Sequence, residues 1–441
     1  MANWSSKITG YYSKDESAGK RDGCITPALY ENLETEYRLV RRGIGLGDYS
    51  YYGKIKVAGE GALDLINRMS LADISRVPIN RMMSSFVLNE DGSVLCEIYV
   101  ANYADYYLVL SEGAGPQQLL ARLQAAAEQQ GEGTTVMDIT ESQALFGLDG
   151  PFAWELLKMF MGAGVIGIRY LEVVTGNELE GIPFTLYRTG KTGEYGYLLQ
   201  TEAANAVALW QALLQKGQDF HLNPVGYQTI DRCKLENRFI NMHQEGVLAK
   251  HVLELNTRVM ISQDKDDYVG CKAVEAAIQN GIERRLIGLV LADAAAAQPD
   301  PVAAGDSVYC ETEKIGEIAN AGYSYTLQQS IALAFIKVDY AYVGLDYQVQ
   351  GEAGRYQVRT VSGPFQPRLS SIAACKSAHR KTATLTRCNG GQYRHGHDFF
   401  LEPPYCRHHR HRPYLSDRRH GGGSIAKYPP GAQRLQRDPF L

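Results

Sequence analysis

The sequence predicts an α+β fold that is divided into two or three domains. Helix and strand patterns alternate from residue 53 to about residue 280, whereas residues 284–361 contain strand patterns alone. A chain of 441 residues is also too long for one ordinary hydrophobic core. Apolar residues make up 45% of the chain and charged residues 21%, as in a soluble globular protein.

Charge and hydropathy exclude several classes of protein. A formal net charge of -4 gives no reason to expect nucleic acid or an anionic membrane as a partner. No apolar run approaches the roughly 20 residues that span a bilayer, and residues 1–20 lack the apolar core of a secretory signal. The cysteines are scattered without CxxC pairs, which favours reduced thiols over disulfides or a metal site. A cytoplasmic enzyme is therefore expected.

The patterns give five segments in chain order. Residues 1–35 form an irregular lead-in, residues 36–150 a first α+β domain, and residues 151–280 a second α+β domain. In the first domain, residues 89–92 predict a hairpin turn between strands 85–88 and 94–100, and Pro116 opens a helix that ends near residue 130. In the second, residues 203–215 and 224–237 predict helices. Residues 281–365 form a separate β-domain.

The last segment, residues 366–441, has a different composition. It holds seven of the ten histidines together with arginine, proline and a triple glycine, and it has no apolar periodicity. We expect disorder there, because the segment cannot bury enough apolar surface to offset chain entropy. A change of reading frame near residue 366 is an alternative origin, and resequencing the encoding DNA tests it.

The most informative segment is the glycine-rich stretch 188–197 (R-T-G-K-T-G-E-Y-G-Y), which is predicted to join two antiparallel strands. Glycines three residues apart allow positive φ and close backbone approach, so the turn can present the carboxylate of Glu194 to a ligand. A phosphate-binding loop is excluded by spacing, since it requires a glycine where Thr185 stands. The alternative for Glu194 is a solvated turn residue.

Five blocks in order resemble the T-protein (aminomethyltransferase) family of the glycine cleavage system and its folate-dependent relatives. They cover about residues 40–365 and are the stretches 45–55 (G-L-G-D-Y-S-Y-Y-G-K-I), 88–92 (L-N-E-D-G), 188–197, 267–272 (D-Y-V-G-C-K) and 330–334 (S-I-A-L-A). The resemblance implies a three-domain cloverleaf, with ferredoxin-like α/β layers and a C-terminal β-barrel-like domain around a central folate channel. Tetrahydrofolate is the implied cofactor.

The resemblance also gives roles to particular residues. Glu194 is expected to accept two hydrogen bonds from the pteridine, with Arg188 beside it in the same turn. Tyr51 and Tyr52 are expected to line the channel, although one of two adjacent strand tyrosines usually packs in a core. Lys234 stands at the place of a family arginine, where a surface ion pair with Glu236 is the alternative.

The chain departs from the family pattern directly after the 89–92 hairpin. Cys96 and Glu97 stand where the family has two aspartates, one of which assists aminomethyl transfer. They are the candidate catalytic positions, although Cys96 is more suited to be a buried thiol, and adjacent strand residues face opposite sides. The family's V-N-A-x-N segment is also replaced, here by residues 109–113 (V-L-S-E-G).

These departures favour transfer of a methyl group from an oxygen, sulfur or nitrogen donor to tetrahydrofolate. The stretch 322–325 (G-Y-S-Y) supports this, because it resembles aromatic O-demethylases of the family. Alternatives are the aminomethyltransferase of glycine cleavage, a non-catalytic folate-binding protein, and a damaged family member. Expected partners are a small methylated or aminomethyl donor and a corrinoid or lipoyl carrier protein.

Overall fold

The computed structural model describes residues 4–8, 18–131, 133–262, 264–265, 267–292, 300–352 and 354–365. The predicted tail, 366–441, lies outside the described residues. In chain order the helices are α1 (Leu33–Arg42), α2 (Ala62–Met69), α3 (Pro116–Gln130), α4 (Ala153–Met161), α5 (Ala206–Lys216), α6 (Tyr227–Asn237), α7 (Glu245–Leu248) and α8 (Cys271–Asn280).

The strands are distributed over four sheets. They are β1 (Trp4–Ser5), β2 (Ala18–Arg21), β3 (Cys24–Pro27), β4 (Ile44–Asp48), β5 (Gly53–Gly59), β6 (Arg81–Leu88), β7 (Val94–Asn102), β8 (Tyr106–Glu112), β9 (Thr134–Asp138), β10 (Gln143–Asp149), β11 (Val173–Leu179), β12 (Ile182–Tyr187), β13 (Gly196–Glu202), β14 (Leu222–Val225), β15 (Arg284–Leu291), β16 (Ser307–Cys310), β17 (Glu313–Ser324), β18 (Gln329–Lys337), β19 (Asp346–Gly351) and β20 (Gly354–Val361).

The first large sheet has five strands in the order β6-β7-β8-β5-β9. Alternating apolar residues of its strands pack against α2 and α3, which cover one face and form a continuous core with it. The predicted hairpin is present: β6 and β7 are antiparallel, and Gly92 in the turn has φ +79°. On the opposite face, Met82, Tyr99 and Leu110 are among the residues that pack into a second hydrophobic core with Tyr51 and Tyr52.

The second large sheet has six strands in the order β11-β12-β13-β10-β4-β14. Its strands β4 and β10 precede residue 150, so the predicted division there does not match the sheets. The helix predicted from Pro224 begins at Tyr227 instead, because residues 222–225 form β14, which pairs in parallel with β4. The antiparallel pairing of β12 with β13 agrees with the predicted location of the glycine turn.

The C-terminal strands close into a six-stranded barrel, β15-β18-β17-β16-β19-β20. Helix α6 packs against β17, which connects the barrel to the second sheet. The lead-in, residues 1–35, was expected to be irregular but contains a small sheet of order β1-β3-β2. Helix α1 also begins within it, at Leu33. Among the described residues, no helix is both long and apolar enough to cross a membrane.

Candidate functional site

The glycine turn between β12 and β13 is closed at its base by two glycines. A Cβ on Gly190 would lie 2.7 Å from the Cα of Gly196 and 2.8 Å from the Oδ1 of Asp149, so only glycine fits there. Gly193 has φ +82°, which favours glycine at the tip. The turn therefore folds tightly over Asp149 and directs Glu194 inward.

The carboxylate of Glu194 belongs to a group of three buried ionic side chains, Arg41, Glu194 and Glu236, which we name the Arg41 cluster. The guanidinium of Arg41 donates to Glu194 Oε1 at 3.1 Å, to Glu236 Oε2 at 2.6 Å and to the carbonyl of Thr192 at 2.6 Å. The side chains of Arg41, Glu194 and Glu236 are 5%, 1% and 0% exposed. Glu194 Oε2 is buried and has no hydrogen-bond partner among the residues that the structure describes.

The electrostatics of this cluster leave one carboxylate uncompensated. Burial raises the pKa of Glu194, and the nearby Arg41 opposes that rise without cancelling it. Burial also raises the pKa of Asp149 to about 6, although Thr192 and Tyr49 donate hydrogen bonds to its two oxygens. An inward carboxylate with an unused oxygen is suited to bind a ligand that donates hydrogen bonds.

A second group of buried ionic side chains, the Lys191 cluster, consists of Glu97, Glu112, Lys191 and Lys234. Lys191 Nζ lies 2.6 Å from Glu97 Oε2 and 2.7 Å from Glu112 Oε2. Lys234 Nζ lies 2.5 Å from the other oxygen of Glu112. Glu97 has the most accessible side chain at 11%, compared with 4% or less for the others.

The Lys191 cluster changes the interpretation of Lys234. Lys234 and Glu236 are both fully buried, so the alternative of a surface ion pair is wrong. They do not pair with one another: Lys234 contacts Glu112, and Glu236 contacts Arg41. The structure thus places Lys234 beside the predicted site, where it neutralises a carboxylate.

The two tyrosines predicted to line a channel are both buried. Tyr52 donates a hydrogen bond to Glu112 Oε2 at 2.8 Å, so it belongs to the surroundings of the Lys191 cluster. The ring of Tyr51 lies 5.1 Å from that of Tyr52 and 6.4 Å from that of His243. Their roles toward a ligand remain predictions.

Arg188 contacts both arms of the glycine turn, and its contact with a ligand stays a prediction. Its guanidinium stacks over the rings of Tyr195 and Tyr197, with centroid distances of 4.9 Å and 4.5 Å, and donates to the carbonyl of Gly196 at 3.2 Å. Arg188 therefore braces the two arms of the glycine turn.

Cys96 and Glu97 lie on opposite faces of β7. Cys96 is fully buried in the apolar core beneath α2 and α3, and burial raises the pKa of its thiol. Glu97 faces Lys191, and burial also raises the pKa of this carboxyl. The carboxylate at the site therefore comes from position 97, while the thiol packs in the core.

Sequence reasoning missed three residues at the site: Arg41, Glu112 and Lys191. Arg41 lies in the last turn of α1, where a basic residue is ordinarily explained by the helix dipole. Glu112 is a lone charge after the apolar residues 108–110, and Lys191 replaces the tyrosine of the family's R-T-G-Y-T-G-E motif. These two isolated charges were the available signal.

The two large sheets, the barrel and a buried carboxylate at their junction are the arrangement expected from the resemblance to the T-protein family of folate-dependent transferases. The chain belongs to this family: the GCVT N-terminal domain model matches residues 6–265, and the glycine cleavage T-protein C-terminal barrel domain matches residues 284–366. The predicted family is therefore confirmed, together with its tetrahydrofolate-dependent transfer of one-carbon groups.

The sequence identity to individual relatives is low. The chain is 29% identical over 374 residues to an aminomethyltransferase of Symbiobacterium thermophilum, covering 82% of this chain and 98% of the relative. It is 24% identical to that of Halalkalibacterium halodurans, covering 78% and 93%. The crystal structure of glycine cleavage system aminomethyltransferase T from Bartonella henselae superposes with a TM-score of 0.72 at 20% identity, covering 82% of this chain and 98% of that one. The predicted α+β fold with a C-terminal barrel is confirmed.

Proposed function

We propose that the chain transfers an aminomethyl group to tetrahydrofolate. Relatives named aminomethyltransferase, which align over about four fifths of the chain, support this in preference to the methyl transfer expected first from sequence. The observation that carries the proposal is the buried, unpartnered Oε2 of Glu194. The cytoplasmic location of the protein stays a prediction.

The residues around Glu194 fit a reduced folate. A pteridine presents an amino group and a ring N–H side by side, and one carboxylate can accept hydrogen bonds from both. Arg41 holds Oε1 through one hydrogen bond, and that oxygen retains a second lone pair for a ligand. Each such bond to a charged group contributes about 1.5 to 3 kcal/mol.

Proton transfer is assigned to Glu97. Bound tetrahydrofolate supplies the amine nitrogens that accept the one-carbon unit, and these nitrogens must lose protons during transfer. Glu97 supports this role because it is the most accessible carboxylate of the Lys191 cluster, and the ammonium of Lys191 lies 2.6 Å away, where it stabilises the ionised form of Glu97. The sequence-based argument that a carboxylate is missing applies to position 96 only.

The proposed donor is an aminomethyl group on the lipoyl arm of a carrier protein. The family's membership in the glycine cleavage system favours this carrier over the corrinoid protein that the sequence also allowed. Nucleic acid is not an expected partner, given the net charge of -4.

Methyl transfer is the second candidate. Two observations favour it: Cys96 is buried where the family has an aspartate, and Ser324 of the G-Y-S-Y stretch is buried at the barrel end that faces the site. Purified protein with tetrahydrofolate is offered an aminomethyl-loaded lipoyl carrier or a panel of methoxyaromatic, sulfonium and methylamine donors. Methylenetetrahydrofolate with ammonia supports the proposal, 5-methyltetrahydrofolate supports the second candidate, and binding without turnover indicates a non-catalytic folate-binding protein.

The folate site is tested separately by the variant Glu194→Ala. We expect folate affinity to fall at least about tenfold, because two hydrogen bonds to a charged group are lost. Fluorescence titration with 5-formyltetrahydrofolate measures it, with Glu202→Ala at the exposed end of β13 as the control. Equal affinity of the Glu194→Ala variant and the wild type would contradict the assignment.

A further inference from the structure

A continuous chain of hydrogen bonds connects the C-terminal barrel to the carboxylate of Glu194. Ser324, the last residue of β17, donates to Glu236 Oε1 at 2.6 Å. Glu236 Oε2 accepts from Arg41 at 2.6 Å, and Arg41 in turn donates to Glu194 Oε1 at 3.1 Å. Four side chains, from β17, α6, α1 and the glycine turn, thus fix one another.

A second branch reaches the same place from the barrel. The hydroxyl of Thr326, in the turn after β17, lies 2.6 Å from the hydroxyl of Tyr37. Tyr37 also lies within 2.8 Å of both oxygens of Glu236 and accepts from Arg41 Nε at 3.1 Å. The barrel therefore contacts the surroundings of Arg41 through two hydroxyl groups.

We propose that the barrel sets the affinity of the folate site, with Ser324 and Thr326 acting as positioning residues for Arg41 and, through it, for Glu194. This inference rests on the proposed function, since it concerns the same carboxylate. Neither hydroxyl is assigned a contact with folate or with the one-carbon donor.

The physical reason lies in how Arg41 is held. Its strongest ionic contact is with Glu236 at 2.6 Å, whereas its contact with Glu194 is longer at 3.1 Å. A binding carboxylate must be kept within about 0.5 Å of its working position. When Glu236 loses the hydrogen bond from Ser324, or Tyr37 loses its contact with Thr326, Glu236 can turn and draw Arg41 with it, so Glu194 loses its one guanidinium contact.

This arrangement also predicts a pH signature. The charged groups that face Glu194 are the cation Arg41 and the anions Asp149 and Glu236. Arg41 lowers the pKa of Glu194, so a displaced Arg41 leaves that carboxyl with a higher pKa. Folate binding, which requires the ionised carboxylate, is then lost at a higher pH on acidification than in the wild type.

The experiment measures the variants Ser324→Ala and Thr326→Val and the double variant that carries both substitutions. The control is Ser307→Ala, at a barrel serine on β16. Titration with 5-formyltetrahydrofolate from pH 5 to pH 8 measures the dissociation constant Kd. We expect Kd to rise about tenfold for Ser324→Ala and about threefold for Thr326→Val, with the acid limb moved to higher pH. Ser307→Ala should match the wild type.

The outcomes separate the two proposals. If the wild type binds and the double variant binds within twofold of it with the same acid limb, the positioning role is overturned and the folate site stands. If the wild type itself fails to bind, the proposed function is overturned first. Thr326 is exposed, so Thr326→Val keeps the test valid should Ser324→Ala fold poorly.

Discussion

The Arg41 cluster and the Lys191 cluster are both buried and ionic, but their charge balance differs. The Arg41 cluster has one guanidinium for two carboxylates, a net charge of -1, and Glu194 retains an unpartnered oxygen among the described residues. The Lys191 cluster has two ammonium groups for two carboxylates, and Glu112 contacts both of them.

This difference shows what each cluster does. Buried charges are costly unless they are paired, so the balanced Lys191 cluster is complete by itself and fastens the glycine turn to β7 and β8. The Arg41 cluster is incomplete, and a ligand that donates hydrogen bonds to Glu194 completes it. A site that binds its ligand in this way is less stable when empty.

The largest expected effect comes from the variant Glu112→Gln. It leaves Lys191 and Lys234 without a shared counter-charge in a buried place, and breaking a buried pair costs about 3 to 5 kcal/mol of unfolding free energy. Urea unfolding measures this loss. Glu317→Gln, which removes an exposed pair with Lys314, is the control and should cost less than about 1 kcal/mol. Similar losses of unfolding free energy in both variants would contradict the structural role given to the Lys191 cluster.

A carboxylate placed at position 96 would belong to neither cluster. Cys96 lies in the apolar core beneath α2 and α3, so Cys96→Asp buries an unpaired carboxyl and should cost at least about 3 kcal/mol. Urea unfolding compares it with Cys96→Ala, expected to cost about 1 kcal/mol because only one small group is removed. Equal stability of the two variants would mean that position 96 can reach a polar partner.

Glu245 on α7 is a buried carboxylate whose hydrogen bonds come from neutral groups, the backbone N–H of Asn241 and the side chain of Asn320. Burial raises its pKa from 4.5 to about 7. Its contribution to stability is therefore full below pH 4.5 and is lost as the pH rises through 7, by on the order of 3 kcal/mol.

Glu245→Gln should remove this pH dependence, because the side chain then stays neutral. Urea unfolding at pH 5 and pH 8 measures the difference, with the exposed Glu128→Gln on α3 as the control. A Glu245→Gln protein that loses as much stability between these pH values as the wild type would contradict the assignment.

The smallest effect on stability is expected for Glu194→Gln. Arg41 keeps Glu236 and the carbonyl of Thr192, and the cluster changes from a net charge of -1 to neutral. The free energy of unfolding should stay within about 1 kcal/mol of the wild type, by urea unfolding of the folate-free protein. A loss comparable to that of Glu112→Gln would show that the two clusters do not differ as described.

Much of the fold could be predicted because its signals are local. The 89–92 hairpin, the glycine turn and the strand-rich C-terminal region each follow from short patterns of glycine and alternating apolar residues. The membership of β4 and β10 in the second sheet could not be predicted, because the sequence of one strand does not indicate which distant strand it pairs with.

The site was predictable only in part for the same reason. Glu194 stood out through its glycine neighbours, whereas Arg41, Glu112 and Lys191 reach the site through ion pairs with residues that lie far away in sequence. Alternation along β7 correctly separates residues 96 and 97. Which of the two faces the site depends on the packing of α2 and α3, which the strand pattern does not contain.

The placement of β4 has a consequence for how the protein is made. On one side β4 pairs with β10, and on the other it pairs with β14, which the ribosome adds only at residues 222–225. When the strands of the first sheet have left the ribosome, the edge of β4 that pairs with β14 is therefore still unpaired. It stays unpaired until residues 222–225, just before α6, have also been made. Synthesis must pass Val225 before the second sheet can be completed, so early strands wait for late ones.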